Sequence, residues 1–132
     1  MEARGLMITS GSGVEKWAPP QQLLELAGED MDLIYELILA FQGDTEVRLG
    51  KIRSALAEGN LKAIRAEAHS IKGSAGQIGA AGVASACLEL ERNVDAAANG
   101  ALADLVRRLE ARVAETSRAM TGYTATQAVP AA

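Results

Sequence analysis

Among its 132 residues the chain has one histidine and one cysteine, and aromatic side chains make up only 3%. With Cys87 alone, an intrachain disulfide and a cysteine-rich zinc site are both excluded, and a structural metal would have to rest on carboxylates. No metal site is expected. No stretch approaches the roughly 18–20 apolar residues of a membrane span, and the apolar run within residues 1–8 is too short for a signal peptide. The expectation is a cytoplasmic protein that does not engage membranes. Positive charge is not in excess either: the net charge of −4 argues against a general nucleic-acid role. A Gly-rich nucleotide loop is missing, and a chain this short has no room for an ATP-binding domain beside its own core.

Apolar residues make up 48% of the chain, most of them Ala and Leu. Good helix formers dominate and runs of alternating β-branched residues are absent, so the sequence predicts one all-α domain. Residues 1–19, which include Thr9-Ser10-Gly11-Ser12-Gly13, read as a flexible N-terminal segment, and residues 122–132 as a flexible C-terminal tail. A tail of this kind suits a free-standing protein. Between them, 20–121 form the domain. Trp17 is placed to cap one end of the core, and a short helix is predicted over 21–27.

Asp30 is a plausible N-cap for a helix to about Phe41, which Gly43 breaks. Asp44 then caps a second helix to about Glu58, and Gly59-Asn60 ends that one and opens a third, to about Gln77 or Ile78. Further helices are expected over about 82–98 and 101–121, separated by Asn99-Gly100. Connections this short make neighbours antiparallel. The predicted architecture is an antiparallel up-down-up-down four-helix bundle, with one or two short N-terminal helices packed at one end. Each stripe is confined to its helix, so a monomer suffices.

The single histidine, His69, lies in the third helix. Set at zero on a helical wheel, it faces away from a stripe of Leu61, Ile64, Ala68, Ile71, Ala75 and Ile78, which spans roughly −80° to 180°. Lys62, Arg65, Lys72, Gly73 and Gly76 fall within about 60° of it. The imidazole therefore projects to solvent, ringed by cations and by residues without side chains. Glycine inside a helix costs about 1 kcal/mol relative to alanine, and two lie beside one side chain. They allow a bulky partner to approach closely. A histidine that carries a phosphoryl group needs this arrangement: access, a neutral nucleophilic nitrogen and nearby positive charge.

Ala68-His69-Ser70-Ile71-Lys72-Gly73-Ser74-Ala75-Gly76-Gln77-Ile78-Gly79-Ala80 resembles the H-x-x-K-G core of the histidine-containing phosphotransfer (HPt) domain of multistep two-component signalling. The likeness extends more weakly over about 30–120, through Phe41, Ala55-Leu56, Asn60-Leu61 and Leu88-Glu89-Leu90-Glu91. It implies that His69 is the phosphorylated nucleophile, with Lys72 and Arg65 near the phosphate. Gly73 and Gly76 would admit the partner, and Gln77, about 80° from His69 on the wheel, would orient the imidazole. Glu58 and Glu67 are other candidate partners for Arg65. Glu67 falls near the apolar stripe, where its role is open, and Cys87 reads as core.

The resemblance further implies a phosphorelay intermediate. A phospho-aspartyl receiver domain would donate to His69, another receiver would accept, and a sensor histidine kinase of the hybrid type would stand upstream. Mg²⁺ would sit on the receiver, so the chain needs no cofactor and is no kinase by itself. Two other readings are a phospho-accepting domain of a chemotaxis-type histidine kinase, supplied from ATP on a separate domain, and a helical adaptor that never carries phosphate.

Overall fold

The computed structural model describes residues 16–96 and 99–128. These form five helices: α1 (Gln21–Ala27), α2 (Met31–Glu58), α3 (Leu61–Ile78), α4 (Ala81–Asn93) and α5 (Asn99–Ala128). No strand occurs among the described residues. Each of α2 to α5 packs against the next, α5 returns against α2, and α1 lies on α2. The helices enclose a core of small aliphatic side chains, with Ile34, Ile52, Ile64, Ile71, Leu90 and Leu109 fully buried. Burial of each such side chain contributes roughly 1.5–3 kcal/mol.

Several expected boundaries are not where local sequence put them: α4 ends at Asn93 rather than near 98, and Asn99-Gly100, expected as a separator, begin α5. Helix α2 runs straight through Gly43-Asp44. Ile38, Phe41, Thr45, Leu49 and Ile52 are all buried, in a register that keeps helical period across the glycine. Burying both stripes as one rod outweighs the roughly 1 kcal/mol cost of glycine. Asp44, expected as a cap, pairs instead with Arg48 one turn on, at 3.0 Å. Among the described residues the only short N-terminal helix is thus α1. At the other end α5 continues past Gly122 to Ala128, so much of the expected tail is helix. Met120 is fully buried, and Tyr123 packs edge-on against Trp17 with ring centroids 5.4 Å apart. Those contacts favour a helix over solvated coil. Of the expected N-terminal flexible segment, residues 1–15 lie outside the described residues, as do 129–132 of the tail.

Sequence signals at the ends of α3 operate as expected. The Asn60 side chain accepts from the Ala63 amide at 3.1 Å, capping the N-terminus. Gly79 closes the helix at φ +75°, and the Ala80 amide returns to the Ala75 carbonyl at 2.8 Å. A Cβ on Gly79 would also come within 2.8 Å of Pro20 Cγ. Gly59 ends α2 in the same left-handed conformation. No helix of the described chain is long and apolar enough to cross a membrane.

Candidate functional site

Helix α3 turns Ile64, Ala68, Ile71, Ala75 and Ile78 inward, which leaves His69 on the outside with 71% of its side chain exposed. Gly73 and Gly76 lie on the same outer face, and a Cβ built on either meets nothing within 4 Å. Internal packing therefore does not require glycine at either position. The face is open.

The imidazole is nevertheless held. Its Nδ1 lies 3.1 Å from Oε2 of Glu91 on α4, and Lys72 Nζ lies 2.6 Å from the other carboxylate oxygen. Glu91 is only 16% exposed. Burial alone would push its carboxyl pKa up, but the contacts with Lys72 and then His69 outweigh that and leave it below the usual carboxylate value. Glu91 is thus ionised at neutral pH and only accepts, so Nδ1 carries the ring proton and donates. In the neutral ring, the nucleophilic form, this leaves the lone pair on Nε2.

Arg65 and Glu67 pair with residues outside α3, and Gln77 faces a cleft. Arg65, expected beside the phosphate, makes an ion pair with Asp95 past the end of α4 rather than with Glu58 or Glu67. Gln77, expected to orient the imidazole, is exposed and lines a cleft between α1, α2 and α3; the orienting bond comes from Glu91. Gln77 lies eight residues on, about 12 Å along the helix axis, and on the flank toward α1 and α2, whereas Glu91 approaches from the facing helix α4. Glu67 pairs with Arg48 of α2 at 2.9 Å, which explains a carboxylate on the flank of the apolar stripe. Sequence reasoning passed over Glu91 within Leu88-Glu89-Leu90-Glu91. The available signal was an acid at i+4 from the buried Cys87 and next to Leu90, where a surface charge is not expected.

Beneath the site Cys87 is buried, and its thiol is pushed up to about 12 by burial, with Glu91 adding to the shift and Lys72 opposing it. It stays protonated and inert, as its place in the stripe predicted. Among the described residues, no group of three or more His, Cys, Asp and Glu side chains is arranged as metal ligands.

A helical bundle that offers one oriented imidazole on an open helix face, with a lysine beside it, has the architecture of a phosphoryl carrier. The Hpt domain family model matches residues 36–119, and the chain belongs to that family. Its function is that of a histidine phosphotransfer protein serving as a relay intermediate. Among solved structures it is similar to histidine-containing phosphotransfer protein B (HptB) from Pseudomonas aeruginosa PAO1. That likeness has 27% identity and a TM-score of 0.69, and covers 80% of this chain and 92% of that one. No curated protein matches the chain.

Proposed function

We propose that His69 is the residue that carries the phosphoryl group, taking it from the phospho-aspartate of one receiver domain and passing it to the aspartate of another. The observation that supports this most is the 3.1 Å contact of Glu91 with Nδ1 of an imidazole that is 71% exposed, because a carboxylate there favours the proton on Nδ1 and leaves Nε2 to attack. In the transfer the Nε2 lone pair forms the N–P bond while the P–O bond breaks and its electrons leave on the aspartate. The ring already bears its proton on Nδ1, so no base is needed at that step. The phosphoramidate formed keeps a high transfer potential, and return to a receiver reverses the same bonds.

Lys72 would meet the phosphoryl oxygens by turning from Glu91, one turn from His69. Arg65, engaged by Asp95, would add positive charge at longer range. Gly73 and Gly76 would leave room for the receiver, which would bring Mg²⁺ and its own acidic pocket. The short Gly59–Asn60 and Gly79–Ala80 connections support an up-down-up-down order, which sets α3 between α2 and α4 with its outer face free. In this reading the chain acts as a cytoplasmic monomer downstream of a hybrid histidine kinase, and carries phosphate without kinase activity of its own.

Incubation of wild type and His69→Gln with a phosphorylated receiver tests the assignment. The wild type should acquire acid-labile, base-stable label and the variant none, at a melting free energy within about 0.5 kcal/mol of wild type, since exposed sites tolerate substitution. Acid-labile label on folded His69→Gln would refute it.

A further inference from the structure

We propose that Trp17 is a positioning residue for transfer from a partner: by pinning residues 16–20 to the end of α3, it holds α1 as one wall of a cleft on which the donor receiver domain rests. This builds on the reading of His69 as the phosphoryl acceptor. The cleft measures about 490 Å³ and is lined by Leu23 and Leu26 of α1, Leu37 and Phe41 of α2, and Ser74 and Gln77 of α3. Gln77 is the i+4 neighbour of Gly73 on the surface of α3, so the cleft borders the open face of His69. Leu26 is 75% exposed on its rim. A domain that brings its aspartate to His69 from the α2 side covers this apolar wall as it docks.

Helix α1 cannot hold that position alone. It has seven residues, and its N-cap, Pro20, makes no side-chain capping bond. Isolated helices shorter than about 12–15 residues are marginal in water, so α1 depends on its packing against α2 and on its two ends. At the C-terminal end Ala27 is buried and the chain passes directly into α2. At the N-terminal end the anchor is Trp17, whose Nε1 donates to the Ile78 carbonyl at 2.8 Å in a buried bond. That carbonyl is among the last four of α3, which have no donor within the helix. The indole also meets Tyr123 of α5 edge-on, and Pro20 lies against Gly79. Trp17, Pro20, α1 and Tyr123 all fall outside residues 36–119 that the family model covers.

The test measures single-turnover transfer from a receiver domain charged with acetyl phosphate, chosen because it transfers to wild type, across a range of chain concentrations. Direct labelling by phosphoramidate runs in parallel. Trp17→Ala should raise the half-saturating concentration about tenfold, with the maximal rate and phosphoramidate labelling within about twofold of wild type. Trp17→Phe, which keeps a ring for Tyr123 but loses the bond to Ile78, should fall between. Leu26→Glu alters only the exposed rim, so it tests the wall without disturbing the anchor, and it should raise the same concentration with unchanged melting. An unchanged half-saturating concentration in folded Trp17→Ala, or in Leu26→Glu, overturns the proposal. A Trp17→Ala chain that loses helicity together with phosphoramidate labelling also overturns it, because Trp17 would then be general core. Folded His69→Gln that takes acid-labile label from either donor refutes the reading of His69 instead.

Discussion

Replacing Glu91 by Ala removes both contacts that organise the site, and the structure bounds what that costs. Breaking a buried ion pair leaves an uncompensated charge and costs about 3–5 kcal/mol. Here the two orphaned groups are not buried: His69 is 71% and Lys72 31% exposed. Each can hydrate once Glu91 is gone, so the stability loss should be about 1 kcal/mol, or a fall of about 3–5 °C in Tm for a domain of this size. The effect on the imidazole should be larger relative to what is needed. A hydrogen bond worth about 1 kcal/mol biases the tautomer populations roughly fivefold. Without it the Nδ1-protonated form loses that advantage, and phosphoramidate labelling of His69 should slow by up to about fivefold, the largest fall that a fivefold change in tautomer ratio allows. Nitrogen-15 NMR of the ring reads the tautomer directly, beside labelling rates and melts. An unchanged tautomer in folded Glu91→Ala would show that Glu91 does not orient the ring. A destabilisation above about 3 kcal/mol would show that the pair behaves as a buried one.

Gly73→Leu should block transfer from a receiver while keeping or raising stability by up to about 0.8 kcal/mol, since a Cβ there meets nothing within 4 Å; equal receiver transfer in folded mutant and wild type would dismiss Gly73 as an access window. Gly79→Ala should cost roughly 1–3 kcal/mol in denaturant melts, because φ +75° disfavours a side chain and Pro20 Cγ stands 2.8 Å from the new Cβ. The carboxyl pKa of Glu91 is lower in the folded chain than in the unfolded one. Its stabilisation is therefore full above the unfolded value of about 4.3 and is lost as pH falls through the folded value. Melts from pH 7 to 3 should show Glu91→Ala with a shallower acid limb than wild type, and parallel limbs would count against the linkage.

What could be read from the chain alone was what helical periodicity encodes. The stripe from Leu61 to Ile78, the Asn60 cap and the Gly79 stop are local, so they placed α3 and turned His69 outward without any knowledge of neighbours. The open face of Gly73 and Gly76 follows from the same spacing. Boundaries were less legible where local and global preferences compete. Gly43-Asp44 has the residues of a break, yet the shared buried face carries α2 across it. Gly122 reads as the start of a tail, yet the Trp17–Tyr123 contact extends α5 beyond it.

The sequence by itself determined the fold class, the family and the one histidine that could carry a phosphoryl group, because these depend on residues within a few turns of each other. Only the tertiary structure decided how that histidine is held. Glu91 lies 22 residues from His69, and its choice over Gln77 depends on how α4 packs against α3. The same packing assigns Arg65 to Asp95 and Glu67 to Arg48. Helical spacing specifies which way a side chain leaves its own helix; which partner it meets depends on the distance and rotation of the next helix, and those follow from burying all the stripes at once.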